Sequence, residues 1–283
     1  MSPKKSFPIV FTDLDGTLLD HANYTFDDAL PALESLQKSR VPVIFNTSKT
    51  QSESIALAKR MGLCHPLIVE NGGAIVVPAN YDFITQQHPT DGWNVEGQVI
   101  VLGASIAQIQ SVLREAHDAL ALSGAYQSFS DMTLEELCAL TNLDYNAASQ
   151  AKSRYFSEPI IWHGNDSLLQ SFAGYLVEHD LKIIRGGRFH HIIGETDKCT
   201  AMVQLSQMYE DSAQTPPRII KIALGDSQND QQMLNGADIA VVVKNKSGSG
   251  INISHANVIR TNNEGPAGWR EGIENAFSSL AHF

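Results

Sequence analysis

Cysteine is scarce in this chain: Cys64, Cys138 and Cys199 are its only three, scattered over 283 residues with no CxxC pair. An odd, dispersed set supports neither a disulfide framework nor a zinc site, and reads as reduced, buried thiols. Positive charge is also short. Lys and Arg number 20 against 31 Asp and Glu, a formal charge of -11, the wrong sign for general affinity toward nucleic acid or anionic lipid. An anionic substrate must then be held by local charge. No run approaches the ~18 apolar residues of a membrane span. The leading MSPKKS carries two lysines, but Asp13 interrupts the apolar stretch behind it before a signal h-region can form, so the expected location is cytoplasmic. Internal repeats, long low-complexity tracts, a P-loop and a GxGxxG turn after a strand are absent too, which leaves nucleotide or dinucleotide binding without support.

What is present is enough apolar sequence, 43% of the residues, for a sizeable core. FPIVFT, FDDALPALESLQKS, VPVIFNTS, QSESIALAKRMG and PLIVENGGAIVV alternate strand-like with helix-like segments. That order implies βαβ units and a parallel sheet with helical cover. It resumes near residue 197 with DKCTAMVQLSQMYE, RIIKIALGDS, DIAVVV and a last helix near GWREGIENAFSSL. Between 93 and 194 the order becomes strand, helix, strand, two short helices, then strand, helix, strand, strand. This is the pattern of a small α+β unit with an antiparallel sheet. The expected fold class is therefore α/β, a doubly wound, mainly parallel, Rossmann-like core formed by residues 1–92 and 195–283, with an α+β unit inserted at 93–194. Two linkers near 93 and 194 would let that unit close over the core. KNKSGSGINIS at 244–254 reads as a loop.

The chemistry begins at PIVFTDLDGTLLD, residues 8–20. Asp13 and Asp15 close the first strand, where open parallel sheets bind their ligands. In extended backbone, positions i and i+2 share a face, so the two carboxylates converge. Charges ~4 Å apart repel by roughly 4 kcal/mol at an effective dielectric of ~20, and a divalent cation is the simplest way to offset that. Gly16 permits a tight exit turn, and Thr17 is placed to bind phosphate or cap the turn. An EF-hand is excluded, because its glycine falls at the sixth loop position and here it comes fourth.

A second acidic strand end, ALGDSQND at 223–230, presents Asp226 and Asp230 across the start of a helix. Together with Asp13 it suits magnesium, which binds a few carboxylates and takes its remaining ligands from water and phosphate; Asp226 alone would serve equally as a helix N-cap. NTSKT at 46–50 ends another strand with hydroxyls at Thr47 and Ser48, positioned either to meet an anion or to cap the next helix. Lys198 falls at a helix start, where a cation opposes the helix dipole and asks for a nearby anion, or points to solvent. In the inserted unit, Arg188 is a fork for a carboxylate or a partner in a surface ion pair. His190 and His191 alternate faces, so at most one turns toward a site. Glu70 and Asn71 in ENGG stand at a third strand end, suited to hydroxyl recognition or to a glycine-driven turn, and Trp269 reads as core.

With DLDGT, Thr47 in NTSK, Lys198 and GDSQND in that order, the chain resembles haloacid dehalogenase-type phosphohydrolases over nearly its whole length. An insertion between the second and third of these motifs is similar to the Cof-type (C2B) α/β cap. TSKT, ENGG, FSDMT, GGRF and EGPAGWREG make it similar, more narrowly, to mannosyl-3-phosphoglycerate phosphatases. It departs from that pattern at Cys199, where glycine is usual, and at the His190–His191 pair, where an aromatic often precedes the second histidine.

The resemblance implies Asp13 as nucleophile, Asp15 as acid and then base, and Thr47 and Lys198 holding phosphoryl oxygens. It implies magnesium on Asp13, Asp226 and the main-chain carbonyl of Asp15, with Asn229 and Asp230 orienting metal waters or Lys198. Ser48, Lys49, Glu70, Asn71 and Arg188 are the expected substrate contacts. The implied partner is a small phosphorylated sugar or glycerate, with no nucleic acid and no membrane; the oligomeric state is left open. Mannosyl-3-phosphoglycerate, yielding mannosylglycerate, is the first expected substrate. Another phosphosugar, or a hexose phosphomutase reaction, is the alternative. A non-catalytic sugar-phosphate sensor is the reading from a different class, and the presence of both Asp13 and Asp15 speaks against it.

Overall fold

The computed structural model describes residues 6–86, 92–186, 188–213, 217–245 and 251–280. The two leading lysines, Gly187 of GGRF and residues 246–250 of the loop at 244–254 lie outside the described residues. The first part of the chain runs β1 (Ser6–Thr12), α1 (Leu30–Lys38), β2 (Val43–Phe45), α2 (Gln51–Arg60), β3 (Leu67–Val69) and β4 (Ala74–Val77). The middle runs β5 (Gln98–Val101), α3 (Ile106–Ala119), β6 (Tyr126–Ser128), α4 (Leu134–Thr141), α5 (Tyr145–Lys152), β7 (Ser157–Trp162), α6 (Asp166–Val177), β8 (Leu181–Arg185) and β9 (His190–Gly194). The last part runs α7 (Lys198–Asp211), β10 (Arg218–Gly225), α8 (Gln231–Asn235), β11 (Ile239–Lys244), β12 (Val258–Glu264) and α9 (Gly265–Leu280).

Five strands form the central sheet in the order β12-β11-β10-β1-β2, and every neighbouring pair is parallel. Its strands are apolar without alternation because both faces are covered. Val10, Val43, Phe45, Leu224 and Val241 pack on one side with α1, α9 and Trp269, while Ile9, Phe11, Ile44, Ala223 and Ala240 pack on the other with α7 and α8. This is the doubly wound α/β core that the sequence order implies. Trp269 is fully buried and donates its indole N–H to the Thr12 hydroxyl at 2.9 Å, one residue before Asp13.

A four-stranded antiparallel sheet, β6-β7-β9-β8, makes the second unit. Helices α3 and α6 cover one face through Ile109, Leu113, Phe172 and Leu176, packed with Ile160 and Ile192 of the sheet. Leu137 of α4 and Ala148 of α5 pack with Ile161 and Phe189 in a separate cluster. Strand β5 differs from expectation: although it falls within 93–194, it pairs antiparallel with β4, in the sheet that also holds β3. Gly73 O, accepting from Leu102 N at 2.9 Å and Gly103 N at 3.0 Å, continues that pairing. No helix among the described residues is long and apolar enough to cross a membrane.

Because Trp269 fills the core beneath the first strand, Trp269→Ala is expected to lower stability by about 3–5 kcal/mol in chemical unfolding. A variant unfolding at the wild-type denaturant concentration would show that this ring packs nothing essential.

Candidate active site

Three carboxylates reach one buried spot from two neighbouring strands. Asp13 follows β1, its N–H bonded to Leu224 O at 2.9 Å, and Asp226 and Asp230 follow β10. One oxygen from each of Asp13, Asp226 and Asp230 lies within 4.8 Å of the others. Lys198, at the first turn of α7 and 1% exposed, donates to Asp13 Oδ1 at 2.5 Å and to Asp230 Oδ1 at 2.7 Å. The other oxygen of Asp230 accepts from the main-chain N–H groups of Asp226 and Ser227, both at 3.1 Å. Asp226 is held at 3.2 Å by the Thr17 hydroxyl and at 2.7 Å by Asn245 Nδ2. Gly16 adopts φ +84°, and a Cβ there would lie 2.7 Å from Asp226 Oδ2, so only glycine lets this turn approach so closely.

One ammonium against three carboxylates leaves the cluster short of positive charge. Burial first, then the charge of Asp230, pushes Asp13 up to about 7 despite Lys198. Burial, then Asp230 and Asp13, pushes Asp226 up to about 8. Burial pulls Lys198 down, yet Asp13 and Asp230 outweigh it and hold the ammonium above its ordinary value. Hard oxygen donors with unneutralised charge and no soft ligand are the donor set for magnesium, and these residues fit that ion.

Asp15 stands apart from the cluster. Its Oδ2 pairs with Lys49 Nζ at 2.9 Å, and its Oδ1 is buried without a partner. Its side chain is not part of the Asp13, Asp226 and Asp230 cluster, so the metal role expected of it falls to its main-chain oxygen. Lys49 also faces Glu53 at 4.0 Å and lies over the Tyr24 ring at 5.3 Å. Burial works against the Lys49 charge, but Asp15 and Glu53 raise its pKa.

Asp13, Asp15, Ser48, Lys49, Arg188, Asp226 and Asn229 line one cavity between the two units. Thr47, Lys198 and Asp230 lie beneath it, all buried. The Thr47 hydroxyl accepts from Lys49 N at 3.1 Å, which stiffens the loop entering α2. Asn71, expected to touch substrate, is buried and does not line this cavity; its Oδ1 accepts from Nδ2 of Asn229 at 3.2 Å. Glu70 corrects the expectation of hydroxyl recognition. It is fully buried, and its two oxygens accept from the N–H groups of Tyr155 and Phe156 and the Ser157 hydroxyl, so it is turned to the protein interior.

Sequence reasoning missed Arg154, Tyr24, Phe189 and Asn245, and left open which of the paired histidines faces the site. His191 does: it lines the cavity with Nδ1 unpartnered, and burial, reinforced by Arg154 and Lys198, pushes it down to about 3 and keeps it neutral. Its strand position was the usable signal. Arg154 had none, lying between a short helix and a strand. Arg188 donates to Leu140 O and Thr141 O, both at 3.4 Å, and stacks over Phe189 at 5.5 Å, with no carboxylate against it among the described residues. Cys199 packs at the place where a Cβ on Gly236 would stand, so the cysteine after Lys198 is accommodated by a missing side chain opposite.

A buried carboxylate on a lysine, a second carboxylate two residues on, and a nearby acidic strand end on a doubly wound sheet are an arrangement suited to phosphate-ester hydrolysis. The comparisons agree with this class. The family model for haloacid dehalogenase-like hydrolases matches residues 10–268, and the chain belongs to that family. It is a phosphatase. A glucosyl-3-phosphoglycerate/mannosyl-3-phosphoglycerate phosphatase of Persephonella marina is 34% identical over 274 residues, covering 94% of this chain and 95% of that one. A protein of the same description from Methanococcoides burtonii is 34% identical over 271 residues, covering 94% of this chain and 95% of its own. A crystal structure from Thermoplasma acidophilum shares the fold at TM-score 0.65 and 17% identity, over 98% of this chain and 100% of that one.

Without metal, Asp13 and Asp226 bind protons more tightly folded than unfolded, so stability falls as pH rises from the ordinary carboxylate range through about 8. Buried His191 acts in the opposite sense, adding stability from about 3 up to its ordinary 6.5. Above 6.5 the carboxylates stand unopposed by it. The metal-free melting temperature is therefore expected to fall between about pH 6.5 and 8, and magnesium to remove most of that fall. A melting temperature that climbs across this window would contradict the charge balance.

Proposed function

We propose that this phosphatase hydrolyses a glycosyl-3-phosphoglycerate, with mannosyl-3-phosphoglycerate as its first substrate and mannosylglycerate as the product. The observation that carries the reading is the 34% identity over 94% of this chain to two proteins of that description, joined to a cavity bearing Arg188, which has no carboxylate partner among the described residues. A glycerate carboxylate suits that planar fork, and neutral His191 suits a sugar hydroxyl. In this reading residues 93–194 act as the specificity unit over a core of 1–92 and 195–283.

Asp13 attacks phosphorus and becomes an aspartyl phosphate while the P–O bond to the glycerate breaks. Asp15, which lines the cavity and whose Oδ1 has no partner, gives its proton to the leaving oxygen. It then takes a proton from the water that attacks the aspartyl phosphate, which releases orthophosphate and restores Asp13. Thr47 and Lys198 hold phosphoryl oxygens, while Ser48 and Lys49 border the phosphate's place and Asn229 orients bound water. Magnesium held by Asp13, Asp226 and the Asp15 main-chain oxygen would neutralise developing charge on the phosphoryl group.

A phosphate-release screen over sugar phosphates and glycosyl-phosphoglycerates, with and without magnesium, tests this directly. Mannosyl- or glucosyl-3-phosphoglycerate is expected to give the highest kcat/KM, only with the cation present. Asp13→Asn is expected to lose at least about a thousandfold in turnover while remaining folded. An isomeric phosphate ester formed without net phosphate release would point to a mutase instead.

A further inference from the structure

The loop Thr47–Ser48–Lys49 carries the ammonium that pairs with Asp15, and its three consecutive carbonyls are all taken. Thr47 O accepts from Asn71 N at 2.9 Å, and Lys49 O from Glu70 N at 3.0 Å. Reaching both requires Glu70 and Asn71 to adopt φ +50° and +59°, a left-handed pair of non-glycine residues. Such conformations are uncommon and cost energy, and they persist where surroundings over-determine them. The carbonyl between them, Ser48 O, accepts from Arg154 Nη2. Of these three donors, only Arg154 comes from the middle unit.

Arg154 is fixed in turn. Its side chain is 6% exposed, Nε donates to Ser157 Oγ at 3.0 Å and Nη1 to Ala151 O at 3.2 Å, and Glu70 Oε2 lies 3.6 Å away. The carboxylate that holds the guanidinium therefore belongs to the residue whose N–H holds Lys49 O. The same stretch adds a bond from Thr50 Oγ1 to Gln150 O at 3.0 Å, at the N-cap of α2. One edge of Arg154 also borders the cavity.

We infer that Arg154 is a positioning residue for phosphate-ester hydrolysis: its guanidinium ties the seating of the middle unit to the alignment of Ser48 and Lys49, and through Lys49 to Asp15. Seating the segment 150–157 on the core completes the loop, and lifting it releases Ser48 O. A planar group with donors in three directions is required, and a lysine ammonium cannot span Ser48 O, Ala151 O and Ser157 Oγ together. The inference needs only phosphatase activity; its comparison substrate rests on the glycosyl-phosphoglycerate reading above.

The test uses the full chain with magnesium and p-nitrophenyl phosphate, whose leaving group is too small to need a specificity unit. Arg154→Ala is expected to lower kcat at least about tenfold with KM changed less than about threefold, since small displacements of a reacting group are costly. Millimolar guanidinium chloride should restore much of kcat, and equal sodium chloride should not. Unchanged kcat on the aryl phosphate, with a raised KM only for glycosyl-3-phosphoglycerate, would make Arg154 a substrate grip and overturn the inference. A loss that follows a lowered melting temperature and ignores guanidinium would overturn it as well. Should Arg154→Ala fail to fold, Arg154→Lys keeps a charge beside Glu70: a similar fall in kcat supports the inference, and wild-type kcat refutes it. A wild-type enzyme that cleaves the aryl ester but no glycosyl-phosphoglycerate leaves this test intact and removes only the substrate reading.

Discussion

Lys198 lies between Asp13 and Asp230 inside the protein, with Asp226 close by. Burying four charges is costly unless each is paired and hydrogen-bonded, and here one ammonium serves two carboxylates while a third is left to Thr17 and Asn245. The arrangement survives because three rigid elements deliver it: β1, β10 and the first turn of α7. Each is anchored in the doubly wound core, β1 beside β10 in register. The sheet is thus a device for holding like charges together, and the residual negative potential is of the kind that suits a hard cation. A site optimised for stability alone would not look like this.

The second constraint is geometric. The loop after β2 has no regular structure to hold it, so its carbonyls are satisfied from outside, by the strained Glu70–Asn71 turn on one side and by Arg154 on the other. Glu70 links both, since its N–H, its carboxylate and its unusual backbone all act on this one loop and its clamp. A fully buried carboxylate with both oxygens hydrogen-bonded is a framing residue, which explains its burial better than ligand contact does.

Much of this was legible in the sequence, for physical reasons. An unbroken apolar run such as FPIVFT means a strand covered on two faces, and strand ends in such sheets are where ligands bind, so Asp13, Asp15 and Asp226 could be located from order alone. Burial of Trp269 followed from its helical setting. Direction was harder. ENGG marks a turn, but the sequence does not say whether Glu70 looks toward the cavity or toward Phe156. Short apolar strands also do not name their partners, which is why β5 fell with the wrong sheet. His191 could be narrowed to one of two positions by strand alternation. Arg154 and Asn245 sit in irregular backbone, and their roles exist only through tertiary neighbours.

The segment 150–157 gives the middle unit an attachment to the core beyond the two places where the chain crosses over. The joint is built from both sides, with Arg154 and Gln150 of the middle unit meeting Ser48 and Thr50 of the core. For protein engineering, this means that exchanging the antiparallel unit alone would break the joint. A grafted unit would need the donor's counterpart of the Glu70–Asn71 turn to come with it, because the two halves of that joint are written in separate stretches of sequence.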